Sequence, residues 1–194
     1  MPAKRRDEYV IREVKAIRLL GSPLRQAMLD WISANGAATV AELSEHLRRP
    51  ADRLYYHVRL LERAGLLVAQ PAEAASGRTE ARFDVPARRM LLEYQPSAAN
   101  RRAVKAVIAS VLRSARADFD KAIADPAVRV DGPARELWSG RIEASLTRDD
   151  VETLNAALER ILALMGRARA RTSTAKAYQF TWVVTPVSRG RPSS

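Results

Sequence analysis

Residues 48–59, RRPADRLYYHVR, hold the side chains whose types and spacing suit chemistry on a polyanion. Arg53 carries a planar fork that can pair with the O6 and N7 edge of guanine, a contact worth roughly 1–3 kcal/mol of discrimination. Tyr55 and Tyr56 offer hydroxyls to phosphate and rings to thymine methyls. Asp52 has two uses, accepting from a cytosine amine or capping a helix. Arg48, Arg49 and Arg59 would hold phosphates and set the register. These groups serve only if one helix presents them outward and is locked on its other side. Leu54, Val58 and Leu61 recur at helical spacing and supply that inner stripe.

The elements that must position this helix are legible around it. Thr39 and Glu42 form a capping-box pair ahead of a helix with Val40, Leu43 and Leu47 inward. Arg48-Arg49-Pro50 is the turn into the helix 51–64, which Gly65 ends. Leu66-Leu67-Val68 and Ala81–Val85 read as strands joined by the polar loop 71–79, a two-stranded wing. Arg78 at the wing tip is its candidate contact residue. Upstream, Val10, Val14, Ile17 and Leu20 predict a lead-in helix over 7–20. Ser22 and Pro23 suit the start of a helix over 23–34, and Asn35-Gly36 suits a left-handed stop. Residues 39–68 thus read as helix, turn, helix and the start of a strand, with the wing behind them, a unit that places its second helix in a major groove.

The stretches LGSPLRQAMLDWI, VAELSEHL and LYYHVRLLERAGLL resemble the ArsR-type winged-helix transcriptional regulators over about residues 14–86. Tyr56-His57-Val58-x-x-Leu61-x-x-Ala64-Gly65-Leu66 is the most specific part. The resemblance implies a homodimer that binds a symmetric operator on double-stranded DNA, often as a repressor released by a ligand. It implies that Ala51, Arg53, Tyr55 and Tyr56 read bases, and that Arg78 enters the minor groove. It departs from the metal-sensing members, because there is no cysteine and both histidines, His46 and His57, lie inside the helix-turn-helix. No metal site and no cofactor is expected. His57 matches a packing position.

The second half carries no comparable motif. Residues 98–124 predict a long helix with Val104, Val107, Ile108, Val111, Ala115, Phe119 and Ile123 on one stripe, either a dimer seam or packing within the subunit. Residues 134–146 and 177–185 alternate and predict two strands. Thr147 and Asp150 begin a helix over 148–168 with Val151, Leu154, Leu158, Ile161, Leu162 and Met165 inward. Trp138, Tyr178, Phe180 and Trp182 are either the core of this half or the lining of an apolar pocket for a small-molecule effector. The expected fold class is mainly α with small β: a winged helix over 1–96, a dimerisation or effector domain of long helices and a small antiparallel sheet over 97–187, and a disordered tail over 188–194.

Composition limits the functions. Hydrophobic residues make up 47%, enough for a packed core. The formal net charge is +11, of which +4 falls in residues 1–96 and +7 in 97–194. That favours an anionic partner without concentrating on the helix-turn-helix, so non-specific architectural binding to DNA stays open beside sequence-specific regulation. A winged helix used as a protein-interaction module is a third use of the same elements. No apolar run is long enough to span a bilayer, and no secretory h-region follows the basic start, so a cytoplasmic protein is expected. Enzymatic activity is not expected. There is no thiol and no glycine-rich phosphate loop, and Asp149, Asp150 and Glu152 stand where a helix dipole favours carboxylates.

Overall fold

The computed structural model describes residues 6–73, 79–168 and 176–187. The order is β1 (Arg6–Ile11), α1 (Val14–Leu19), α2 (Pro23–Asn35), α3 (Val40–Leu47), α4 (Ala51–Arg63), β2 (Val68–Glu73), β3 (Thr79–Asp84), β4 (Ala87–Leu92), α5 (Ala98–Ile123) and α6 (Arg148–Ala168). This is an α+β chain with a helix-turn-helix and wing in its first half.

Local chemistry starts and stops these helices. Pro23 occupies the first turn of α2, behind Ser22. Gly36 ends α2 at φ 98°, although its ψ of −173° lies outside the left-handed helical well expected for it. Both halves of the α3 capping box form: Thr39 Oγ1 accepts from the Glu42 amide at 3.1 Å, and the Thr39 amide donates to Glu42 Oε2 at 2.8 Å. Arg48 takes a left-handed conformation, φ 51° and ψ 47°, and turns the chain into α4. Gly65, at φ 68°, takes the chain out again.

One hydrophobic core unites these pieces. Ile17, Met28, Ile32, Leu43, Leu54, Val58, Leu61 and Leu66 are all fully buried in it, with Phe83 and Val85 from the wing side. Ala103, Val104 and Val107 of α5 belong to the same core, which therefore continues past residue 96. Two buried polar residues fix α5. Asn100 accepts from the Gln95 amide and donates to the Glu93 carbonyl. Ser110 donates to Gln26 Oε1, while Gln26 donates to the Leu20 carbonyl. The first half of the α5 stripe is thus spent within its own chain.

The structure corrects three expectations. Residues 7–20 are a strand followed by a short helix, because β1 pairs in parallel with β4, Tyr9 opposite Met90 and Ile11 opposite Leu92. A segment whose apolar spacing permits a helix becomes a strand when an edge some eighty residues away lies beside it. Residues 134–146 and 177–185 form no strand. They meet only through side chains: Glu136 accepts from Tyr178 Oη at 2.6 Å and from Lys176 Nζ at 3.2 Å. Alternation marks two faces of a strand but supplies no neighbouring edge, and the described antiparallel pair is β2 with β3 in the wing. Finally, α6 keeps the predicted bounds, yet none of its described side chains is buried. The tail 188–194 lies outside the described residues.

Candidate nucleic-acid interface

Helix α4 separates its two faces sharply. Leu54, Val58 and Leu61 are 0% exposed, whereas Tyr55 is 51% and Tyr56 64% exposed. Asp52, Arg53 and Arg59 are exposed on the same outer side, and Ala51 is half-buried at the first turn. Pro50 holds the N-cap position, so Asp52 is not the cap; it lies in the first turn, where the helix dipole favours a carboxylate. Arg59 lies 3.7 Å from Glu62, one turn on, with its side chain 68% exposed. An exposed pair of this kind holds the guanidinium weakly and leaves it available to an anion.

The turn before α4 adds two more exposed guanidinium groups, Arg48 and Arg49. Ser44 donates to the Arg49 carbonyl at 2.6 Å and so pins the turn to α3. The structure therefore gathers Arg48, Arg49, Arg53, Tyr55, Tyr56 and Arg59 around the exposed side and leading end of one helix. His57 sits at the edge of this face, half-buried, its ring edge-on to Tyr56 at 5.4 Å. Its Nδ1 has no hydrogen-bond partner among the described residues. Burial, followed by the nearby Arg25 guanidinium, lowers its pKa, which keeps the ring neutral at neutral pH.

The wing is anchored by a residue that periodicity alone does not reveal. Strands β2 and β3 pair from Val68 opposite Asp84 to Glu73 opposite Thr79, and Ala38 bridges to Phe83 beside them. From β3, Arg82 donates to the Ala37 carbonyl at 2.6 Å and to Glu42 at 2.9 and 3.1 Å. The carboxylate that caps α3 therefore also holds the base of the wing. The sequence signal was present in the capping box, but its second partner lies forty residues away. Arg78 lies outside the described residues.

The aromatic set is not enclosed. Trp138 is 75% exposed beneath the Arg135 guanidinium, 4.2 Å from its ring centroid. Phe180 and Trp182 stack at 5.1 Å, and Tyr178, 51% exposed, is bonded to Glu136. Within one chain these side chains are neither a core nor a walled pocket. Among the described residues no group of three or more His, Asp or Glu is placed to hold a metal ion, and no helix is long and apolar enough to cross a membrane.

Residues 20–70 match the family model of a helix-turn-helix domain. That match spans α2 to the start of β2, so the element that carries the exposed guanidinium groups is the second helix of a helix-turn-helix. No curated protein matches the chain. Among solved structures, a transcriptional regulator homologue protein from Pyrococcus horikoshii OT3 is similar, at 20% identity over 53% of this chain and 88% of that one, with a TM-score of 0.33.

Proposed function

We propose that this protein is an ArsR-type transcriptional regulator, a cytoplasmic homodimer that represses by binding an inverted-repeat operator, and not an enzyme. The observation that carries this reading is the split of α4: an inner stripe wholly buried against the helix-turn-helix core, and an outer face of Arg53, Tyr55 and Tyr56 flanked by Arg48, Arg49 and Arg59. In this reading Ala51, Arg53, Tyr55 and Tyr56 face bases, the flanking arginines take phosphates, and the wing reaches the adjoining minor groove. One recognition helix covers a half-site. Two copies reach half-sites about one DNA turn apart, roughly 34–36 Å.

The test is recovery of genome fragments by the purified protein at physiological salt, followed by sequencing. A recurring inverted repeat, lost in Arg53→Ala/Tyr56→Ala, supports a specific regulator, and transcription from that operator with and without the protein reports the sign of control. Both substituted side chains are exposed, so the variant should keep its stability within about 0.5 kcal/mol. The spread of the +11 charge over both halves supports a second reading, non-specific architectural binding. Uniform recovery that fades steeply with salt would establish that reading instead.

A further inference from the structure

Helix α3 turns Val40, Leu43 and Leu47 toward the core. Glu42, Glu45 and His46, three and four residues apart, therefore share another of its faces. Trp31 of α2 meets that face, its ring centroid 5.3 Å from that of His46. The four side chains line an open groove of about 380 Å³ between the two helices, within the roughly 300–1,000 Å³ of small-molecule sites. This groove belongs neither to the outer face of α4 nor to the aromatic set of the second half.

Its lining selects the charge of an occupant. The Glu45 carboxylate is exposed and has no hydrogen-bond or ion-pair partner among the described residues. Beside it stands an indole, whose face attracts a cation. The chain itself makes both kinds of contact with a guanidinium: Arg82 pairs with Glu42 at 2.9 and 3.1 Å, and Arg135 lies 4.2 Å over the Trp138 ring. Among the described residues Glu42, Glu45 and His46 are not placed to hold one metal ion. Two carboxylates and an indole around a space of this size suit an organic cation, with a guanidinium or ammonium head on a short apolar stem.

Glu42 ties the groove to the wing. Both of its carboxylate oxygens accept from Arg82, at the base of β3. A cation in the groove draws on the same carboxylate. We propose that the groove between α2 and α3 binds a small organic cation through Trp31, Glu42 and Glu45, and that its occupancy competes with Arg82 for Glu42. The binding is independent of the regulator reading, whereas its effect on DNA through the wing rests on that reading.

Butylguanidinium and its neutral isostere butylurea test the site on the full-length protein at constant ionic strength. The chain has three tryptophans, so the Trp31 indole N–H signal in a proton–nitrogen NMR spectrum is assigned with Trp31→Phe. Butylguanidinium should shift that signal saturably, and butylurea should not. Glu45→Gln, a substitution at an exposed position that keeps the fold, should weaken binding about 2–5-fold. Arg82→Ala frees Glu42 and should tighten binding by a similar factor. No shift up to about 10 mM, an equal response to butylurea, or an unchanged Kd in Glu45→Gln would overturn the site. An unchanged or weakened Kd in Arg82→Ala would overturn the competition with the wing. Genome-fragment recovery on the same preparations separates the two readings. If Trp31 reports binding but the wild type recovers no operator, the site stands and the regulator fails. If the operator is recovered and the Trp31 signal stays still, the site fails and the regulator stands.

Discussion

Glu42 serves two partners at once, and removing it should show both losses separately. In Glu42→Ala the Thr39 amide loses its acceptor. Thr39 is only 6% exposed, so leaving that N–H unmet costs about 1–3 kcal/mol. The variant also breaks the bonds to Arg82. Those side chains are 36% and 41% exposed, which places their pairing in the range of about 0.2–1 kcal/mol. Glu42→Ala should therefore cost about 2 kcal/mol in all, and Arg82→Ala about 1 kcal/mol, since the Ala37 carbonyl also loses a donor. Urea denaturation followed by far-ultraviolet circular dichroism, run on both single variants and the double variant, measures the coupling. A coupling energy of about 0.5 kcal/mol or more, shrinking as salt is raised, is expected. Single effects that add to within about 0.3 kcal/mol would refute the claim that Glu42 joins the α3 cap to the wing.

Gly65 holds φ 68°, and a Cβ there would stand 3.0 Å from Tyr9 Oη. Gly65→Ala should cost about 1–2 kcal/mol from the left-handed backbone alone, read as a lower urea midpoint; an unchanged midpoint would contradict the strain assigned to this turn. Glu136 is held at a pKa of about 2, first by the Arg129 amide and then by Tyr178 and Lys176, while its own carboxylate raises the Tyr178 phenol above its ordinary value. The depressed carboxylate pKa means that the order it gives residues 129–136 and 176–178 is complete above the ordinary carboxylate range and is lost as pH falls through about 2. Hydrogen exchange in these segments should loosen with acid in the wild type but not further in Glu136→Gln. In the same variant, ultraviolet titration should show Tyr178 ionising at lower pH, and an unmoved Tyr178 would remove Glu136 as the cause.

Much of the first half was legible because its determinants are local. The Thr39 and Glu42 box, Pro23 in a first turn, Gly65 at a stop and the Leu54, Val58, Leu61 spacing each act within a few residues, and each stands in the structure where it was read. The exposed face of α4 follows from the same spacing, since burying one stripe of a helix leaves Arg53, Tyr55 and Tyr56 on the other side. The bounds of α6 were legible for the same reason. Thr147 Oγ1 accepts from the Asp150 amide at 3.2 Å, and the Asp150 carboxylate accepts from the Thr147 amide at 2.9 Å.

What only the tertiary structure decided depends on partners distant in sequence. Strand β1 exists because β4 lies beside it; of the Val10, Val14, Ile17 and Leu20 spacing that suited one helix, Val10 falls in the strand, whereas Val14 and Ile17 lie in α1. Arg82 finds Glu42 only after the wing folds back over α3. The alternation of residues 134–146 and 177–185 met no edge with which to build a ladder, so Trp138 and Trp182 remain exposed. Periodicity assigns a side chain to a face of its own element; whether that face meets a core, another strand or solvent is set by contacts that sequence spacing does not encode.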